Sequence, residues 1–152
     1  MTVAPASETI FDTSAVIGLT ERRSPTLIEI VKQLGRPIIR SITVAGELRH
    51  GAAVADRPGR SDRQRTLDRY EQLSQWTDLE VSMDDIGQAY GNVSAIAAAN
   101  GVSLGMNDRW IIAECVTQGA GLVTGDRRQA RLAELVVEHS VGTFDVITVD
   151  EG

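Results

Sequence analysis

Five short strand-like runs, none longer than six residues, alternate with stretches of helical pattern along the chain. They are "TIFD" (9–12), "PIIRS" (37–41), "DLEVS" (78–82), "GLVT" (121–124) and "FDVITV" (144–149). Brief β-branched runs separated by helices predict a parallel sheet covered on both faces, an α/β architecture. The helix signals between them are local. Ser24 is a cap with Pro25 at the first helical position, and Gly35 is a stop. In "TVAGELRHGAAVA", Val44, Leu48 and Ala52 share a stripe. Ser61 caps "DRQRTLDRYEQLSQW", where Leu67, Tyr70 and Leu73 or Ser74 share a face. Ser82 and Asp85 have the spacing of a capping box. "DRWIIAECVTQG" reads as an apolar helix that opens at Asp108 and ends at Gly119. A chain of 152 residues suits one core. Residues 1–8 are expected to be a flexible end, and 9–152 a single domain.

In open parallel sheets, ligands bind beyond the carboxyl ends of the strands. The acids placed there are the ones to weigh. Asp12 follows the first strand and Asp126 the strand "GLVT". Asp108 opens a helix, and Glu47 lies in the helix after the second strand. Each also fits a plain role: a helix cap for Asp12 and Asp108, a Gly-Asp turn for Asp126, a surface position for Glu47. Together they can converge on one pocket. Like charges at close range raise one another's pKa or demand a cation. With no Lys nearby in sequence, a divalent ion is the natural counter-charge, and all-oxygen ligation favours Mg²⁺ or Mn²⁺. Such a site suits hydrolysis of a phosphate ester or phosphodiester.

The net charge of −6 taken alone argues against a nucleic-acid partner. Its distribution does not. Fourteen of the fifteen basic residues are Arg, and five of them fall within "DRPGRSDRQRTLDR" (56–69). Arg forks match phosphate geometry. Arg60 and Arg63, with Arg109, Arg127 and Arg128, are candidates to hold an RNA backbone; a solvated helix face with local ion pairs is the other reading of the run. No apolar run approaches a membrane span, and the start does not read as a secretory signal. With the single Cys115, a buried thiol by context, this points to the cytoplasm. His50 and His139 are the two histidines available to a metal-free, acid–base ribonuclease mechanism, and both read as exposed or loop residues.

The four acids and their surroundings resemble the PIN-domain ribonucleases, most closely the VapC-type toxins of bacterial toxin–antitoxin pairs. "FDTSAVIGL" is similar to the family's opening strand, Asp, hydroxyl residue and helix. "TVAGELRHGA" matches the segment that carries its Glu. "AYGNVSAIAAANGVSLGMNDRWIIAECV" matches the approach to the third acid, and "GLVTGD" the strand and turn of the fourth. The resemblance implies a three-layer α/β/α sandwich around a central parallel sheet. It implies a metal-dependent endoribonuclease with Asp12, Glu47, Asp108 and Asp126 as catalytic and metal-holding acids. Ser14, Thr124 and Asn107 would support them. It implies in-line attack of an activated water on phosphorus, with one or two Mg²⁺ ions (or Mn²⁺), leaving a 5′-phosphate and a 3′-hydroxyl. It also implies a homodimer and a small antitoxin that covers the acids. One position departs. Family members often carry an aromatic residue shortly after the fourth acid; here the chain reads Arg127, Arg128, Gln129, Ala130, which leaves the packing of that loop open. Two other functions compete. A phosphatase with an Asp nucleophile wants a second acid two residues after Asp12, where Ser14 stands, and a downstream Lys, and none follows Lys32. A non-catalytic RNA- or protein-binding module has no use for four clustered carboxylates.

Overall fold

In the computed structural model, residues 6–54, 62–74 and 82–149 are described below. The first strand, β1 (Thr9–Phe11), is followed by helices α1 (Thr13–Thr20), α2 (Pro25–Leu34), α3 (Ile42–Val54), α4 (Asp62–Leu73), α5 (Met83–Ala99) and α6 (Met106–Gln118). Strand β2 (Gly121–Thr124), helix α7 (Arg127–Glu138) and strand β3 (Val146–Thr148) complete the order. The three strands pair in parallel in the order β1-β2-β3. The register sets Phe11 beside Val123 and Val123 beside Ile147.

"PIIRS" does not form a full strand. Among the described residues it meets β1 through a parallel bridge, Thr9 to Ile38, with Thr9 N donating to Pro37 O and Ile39 N to Thr9 O. That bridge lies on the side of β1 away from β2. The chain therefore leaves β1 in one direction along the sheet, and β2 and β3 extend it in the other. The crevice where the direction reverses opens at the carboxyl ends of β1 and β2, the usual ligand position in such sheets. The expected strand "DLEVS" and the caps at Ser61 and residues 1–5 lie outside the described residues. Residues 6–8, expected to be loose, are held. Ala6 N donates to Asp145 Oδ1 at 3.2 Å, and Gly121 N donates to Glu8 O at 2.9 Å.

Strands β1 and β2 are buried throughout, whereas β3 is only partly covered, with Thr148 exposed. Ile10, Phe11, Leu122 and Val123 join Ile111, Ile112, Leu132 and Val136 in one core. The helix signals hold where they are described. Ser24 accepts from Leu27 N, and Gly35 closes α2 in the left-handed region at φ 61°, which a glycine adopts without steric cost. Ser82 accepts from Asp85 N. On α4, Leu67 and Tyr70 are buried, as is Ser74 just past its end, whereas Leu73 is exposed. Helix α6 begins two residues earlier than expected, with Gly105 as its cap, so Asp108 sits in the first turn and does not cap.

The start of α3 is fixed by a residue far away in sequence. Glu114 of α6, 3% exposed, accepts from Ser41 Oγ at 2.8 Å and from Ile42 N at 2.7 Å. Ser41 Oγ in turn accepts from Val44 N at 3.0 Å. Tyr70 of α4 reaches the same corner, its hydroxyl accepting from Ser41 N at 2.9 Å. These bonds satisfy N–H groups that a helix start leaves without partners, and they set the height at which α3 presents Glu47. Among the described residues, no helix is long and apolar enough to cross a membrane.

Candidate active site

Asp12 is the most enclosed of the four acids, at 2% exposure. It caps α1, its Oδ1 accepting from Ala15 N at 2.8 Å. Ser14 Oγ lies 2.8 and 2.9 Å from its two oxygens, and Thr124 Oγ1, at the end of β2, lies 2.6 Å from Oδ2. Capping and enclosure thus coexist in one side chain. Ser14 also accepts from Gly125 N at 3.2 Å, and Thr124 Oγ1 accepts from Asp126 N at 3.0 Å. The two hydroxyls therefore join the turn after β2 to the turn after β1.

Asp126 caps α7, accepting from Arg128 N and Gln129 N. Glu47 leans onto α1, where Thr13 Oγ1 donates to its Oε1 at 3.0 Å. The other three acids each interact with Asp108. Burial raises the Asp12 carboxyl to about 6, its hydrogen bonds from Thr124, Ala15 and Ser14 pull the other way, and the charge of Asp108 adds to the rise. Burial, then Asp108, also lifts Glu47. Asp108 is lifted by burial and by Asp126, against the opposing charge of Arg128. No cation among the described residues forms an ion pair with Asp12 or Glu47. A carboxylate buried on neutral donors alone is unusual, because the ionised form loses its hydration without a partner charge.

The arrangement is not a four-ligand cage. Among the described residues, no three His, Cys, Asp or Glu side chains stand close enough to grip one ion. An ion seated among the acids as they stand would take no more than two of them. The donor set is nonetheless all oxygen and short of positive charge. That suits a hard divalent cation, which commonly keeps several waters and takes one or two carboxylates.

The family model for the PIN domain matches residues 9–135. The chain belongs to the PIN-domain family. Solved structures share its fold. A VapBC2 complex of Rickettsia felis, bound to a DNA fragment from its promoter, aligns at a TM-score of 0.70 with 16% identity, over 94% of this chain and 99% of that one. VapBC-1 of nontypeable Haemophilus influenzae aligns at 0.70 with 19% identity, over 93% and 97%. VapBC-5 of Mycobacterium tuberculosis aligns at 0.64 with 20% identity, over 94% and 99%. No curated protein matches the chain by sequence.

The loop that departs from the PIN pattern is packed by Gln129. This side chain is fully buried. Its Nε2 donates to Asp108 O at 3.3 Å, and its Oε1 lies 2.9 Å from Thr124 Oγ1. Gln129 thus ties the first turn of α6 to the end of β2, bringing Asp108 and Asp126 to the same edge without an aromatic ring. A buried Gln directly after an Arg pair carries no sequence signal of its own. Replacing it leaves a hole and removes the donor to Asp108 O, while Thr124 Oγ1 keeps Asp12 Oδ2 and Asp126 N. Gln129→Ala is expected to lower stability by about 2–3 kcal/mol, read as a shift of the urea midpoint; a shift below about 0.5 kcal/mol would show that the bridge carries no weight.

The remaining candidates are spread out. Asn107 is exposed and among the described residues bonds none of the acids; it lines a hollow between α3 and α6. Arg109 turns toward α5, its guanidinium 5.4 Å from the Tyr90 ring and Nη1 3.4 Å from Ser94 Oγ. Arg63 pairs with Glu21 at 3.5 Å, at the far end of α1 from Asp12. Arg60 lies outside the described residues. Arg127 and Arg128 are exposed in the first turn of α7, and Arg128 is near enough to act on Asp108. His139 closes α7 at the end opposite Asp126, with its Nδ1 2.8 Å from Leu135 O. His50 lines the same hollow as Asn107. Cys115 is fully buried, and burial pushes its thiol pKa up, so it stays protonated. Thr13, Gln129 and Glu114 support the acids or their helices and were not foreseen. Of these only Thr13 had a cue, the run of hydroxyl residues after Asp12.

Proposed function

We propose that this PIN-domain chain is a divalent-metal-dependent endoribonuclease of the VapC type, the toxin of a toxin–antitoxin pair. The observation that carries the reading is the enclosed Asp12 carboxylate at the reversal point of the sheet, which no cation among the described residues pairs and which stands beside three further acids. Family membership supports a nuclease. The fold shared with VapBC proteins supports the toxin role, with a cognate antitoxin and a homodimer as its partners and the cytoplasm as its place.

Asp12 and Asp108 would hold Mg²⁺ or Mn²⁺, with Glu47 and Asp126 beside them. Such an ion supplies charge to the substrate phosphate and acidifies water. Ser14 and Thr124 hold the Asp12 carboxylate in one orientation. Thr13 fixes Glu47 Oε1, which leaves Oε2 free to accept a proton. Burial makes that carboxylate a stronger base than a solvated one. Arg128 stands at the rim of the acids, where a backbone phosphate would pass.

The test is incubation of the purified protein with total RNA, with Mg²⁺, Mn²⁺ or EDTA, followed by mapping of the new 5′ ends. Cleavage that needs the ion and leaves 5′-phosphates is expected. Cleavage that persists in EDTA would remove the metal from the mechanism. Arg128→Ala is expected to weaken RNA binding and to flatten the plot of log affinity against log salt by about 0.7, the contribution of one phosphate contact on a single strand. An unchanged slope would place Arg128 off the RNA path.

A further inference from the structure

The hollow between α3 and α6 adjoins the acids and shares Glu47 with them. Its volume is about 450 Å³, in the range of small-ligand pockets. One wall is the face of α3 that carries Ile42, Glu47 and His50, and the other is the face of α6 that carries Asn107 and Trp110. Glu47 belongs both to this hollow and to the group of acids, so an occupant would lie next to the phosphate being cut.

Three properties narrow the occupant. The Trp110 indole already rests on Tyr90, with ring centroids 4.0 Å apart and planes 25° from parallel. An aromatic plane held in advance gives stacking at low entropic cost. Ile42, 61% exposed, adds an apolar lip. Glu47 disfavours an anion there, so the hollow suits a neutral planar group better than a phosphate. Asn107 and His50 offer both donor and acceptor atoms, as the edge of a base requires. Gly46 keeps the floor open, since a Cβ there would meet no atom within 4 Å.

We propose that this hollow takes one base of the RNA strand, flanking the scissile phosphate, stacked on Trp110 and read at its edge by Asn107 and His50. The proposal rests on the ribonuclease reading above. It makes α3 and α6 the source of sequence preference at that nucleotide.

Gly46→Leu is the sharpest probe. It puts a side chain at the floor, whose Cβ meets no atom within 4 Å, and replaces a glycine inside a helix by a better helix former. Wild type and variant are compared on a short oligoribonucleotide that carries the mapped site, intact or with the flanking base removed. In the wild type, the abasic substrate is expected to raise KM about tenfold, the usual worth of one stacked base. In Gly46→Leu the two substrates should be cut within about twofold of each other, and Asn107→Ala should lower the base preference in the mapped ends. Comparing substrates within one variant cancels any loss of folded protein. A wild type indifferent to the missing base, or a Gly46→Leu protein that keeps the full tenfold penalty, would overturn the proposal. So would an unchanged preference in Gly46→Leu together with a changed sedimentation mass, which would make the hollow a contact between copies of the chain. If the wild type cuts no RNA, the ribonuclease reading fails separately. The pocket is then tested by quenching of indole fluorescence by the intact oligonucleotide, which Gly46→Leu should abolish and which would refute the base site if retained.

Discussion

Asp12→Asn is expected to remove RNA cleavage by about 10²–10³-fold while making the metal-free protein more stable at neutral pH. The two effects have one cause. The Asp12 carboxyl is raised from 3.8 to about 6, chiefly by burial. A group whose folded pKa exceeds its unfolded value contributes stability that is complete below the unfolded value. That contribution is lost as pH rises through the folded one. The metal-free wild type should therefore lose stability between about pH 4 and pH 6, by up to about 3 kcal/mol. Asn keeps the capping oxygen for Ala15 N and carries no charge, so the variant should lack this decline. Thermal melts in EDTA at pH 4, 5, 6 and 7 measure the difference directly. Parallel curves for the two proteins would mean that burial of the Asp12 charge has no energetic cost. Added Mg²⁺ should raise the melting temperature of the wild type at pH 7 and leave Asp12→Asn unmoved, since only an ion that binds the folded state stabilises it.

The second large effect is on the scaffold. Glu114→Ala removes the carboxylate that accepts from Ser41 Oγ and Ile42 N, stranding the buried Ser41 hydroxyl and the half-buried Ile42 N–H. Each buried group left unpaired costs roughly 1–3 kcal/mol. A loss of about 3 kcal/mol is expected, a fall of about 6–12 °C in the melting temperature for a domain of this size. Glu114→Gln keeps one acceptor oxygen and should lose less than half as much. Equal losses in the two variants would show that side-chain volume, not acceptance at the start of α3, is what matters. Because α3 carries Glu47, the Ala variant should also lose cleavage in the protein that remains folded.

Much of this architecture is written in local patterns. Pro25 after Ser24 and the glycines at 35 and 119 mark helix ends through backbone conformations that no distant contact is needed to impose. Short β-branched runs between helices require a parallel sheet, and a parallel sheet directs Asp12 and Asp126 to one edge. Other elements were not legible for a common reason. "PIIRS" has strand composition, yet among the described residues it meets β1 through a bridge at Thr9 and not a full ladder, and pairing depends on what lies alongside. Asp108 looks like a helix start. The helix begins earlier, at Met106, where Gly105 offers the extended backbone that a cap needs. Gln129 and Glu114 reveal nothing in sequence because their partners lie at Thr124, Asp108 and Ser41, on other elements.

The sequence by itself determined the class of the sheet, the ends of several helices and the four acids, because each depends on residue type and short spacing. The tertiary structure alone decided how those acids stand. It enclosed Asp12 with no paired cation among the described residues, linked Glu47 and Asp126 to it through Asp108, kept any three from closing on one ion, and opened a hollow beside Trp110. Those outcomes rest on burial and on distances between elements, and burial is what turns an ordinary carboxylate into one that has to be compensated by a bound charge or by a proton.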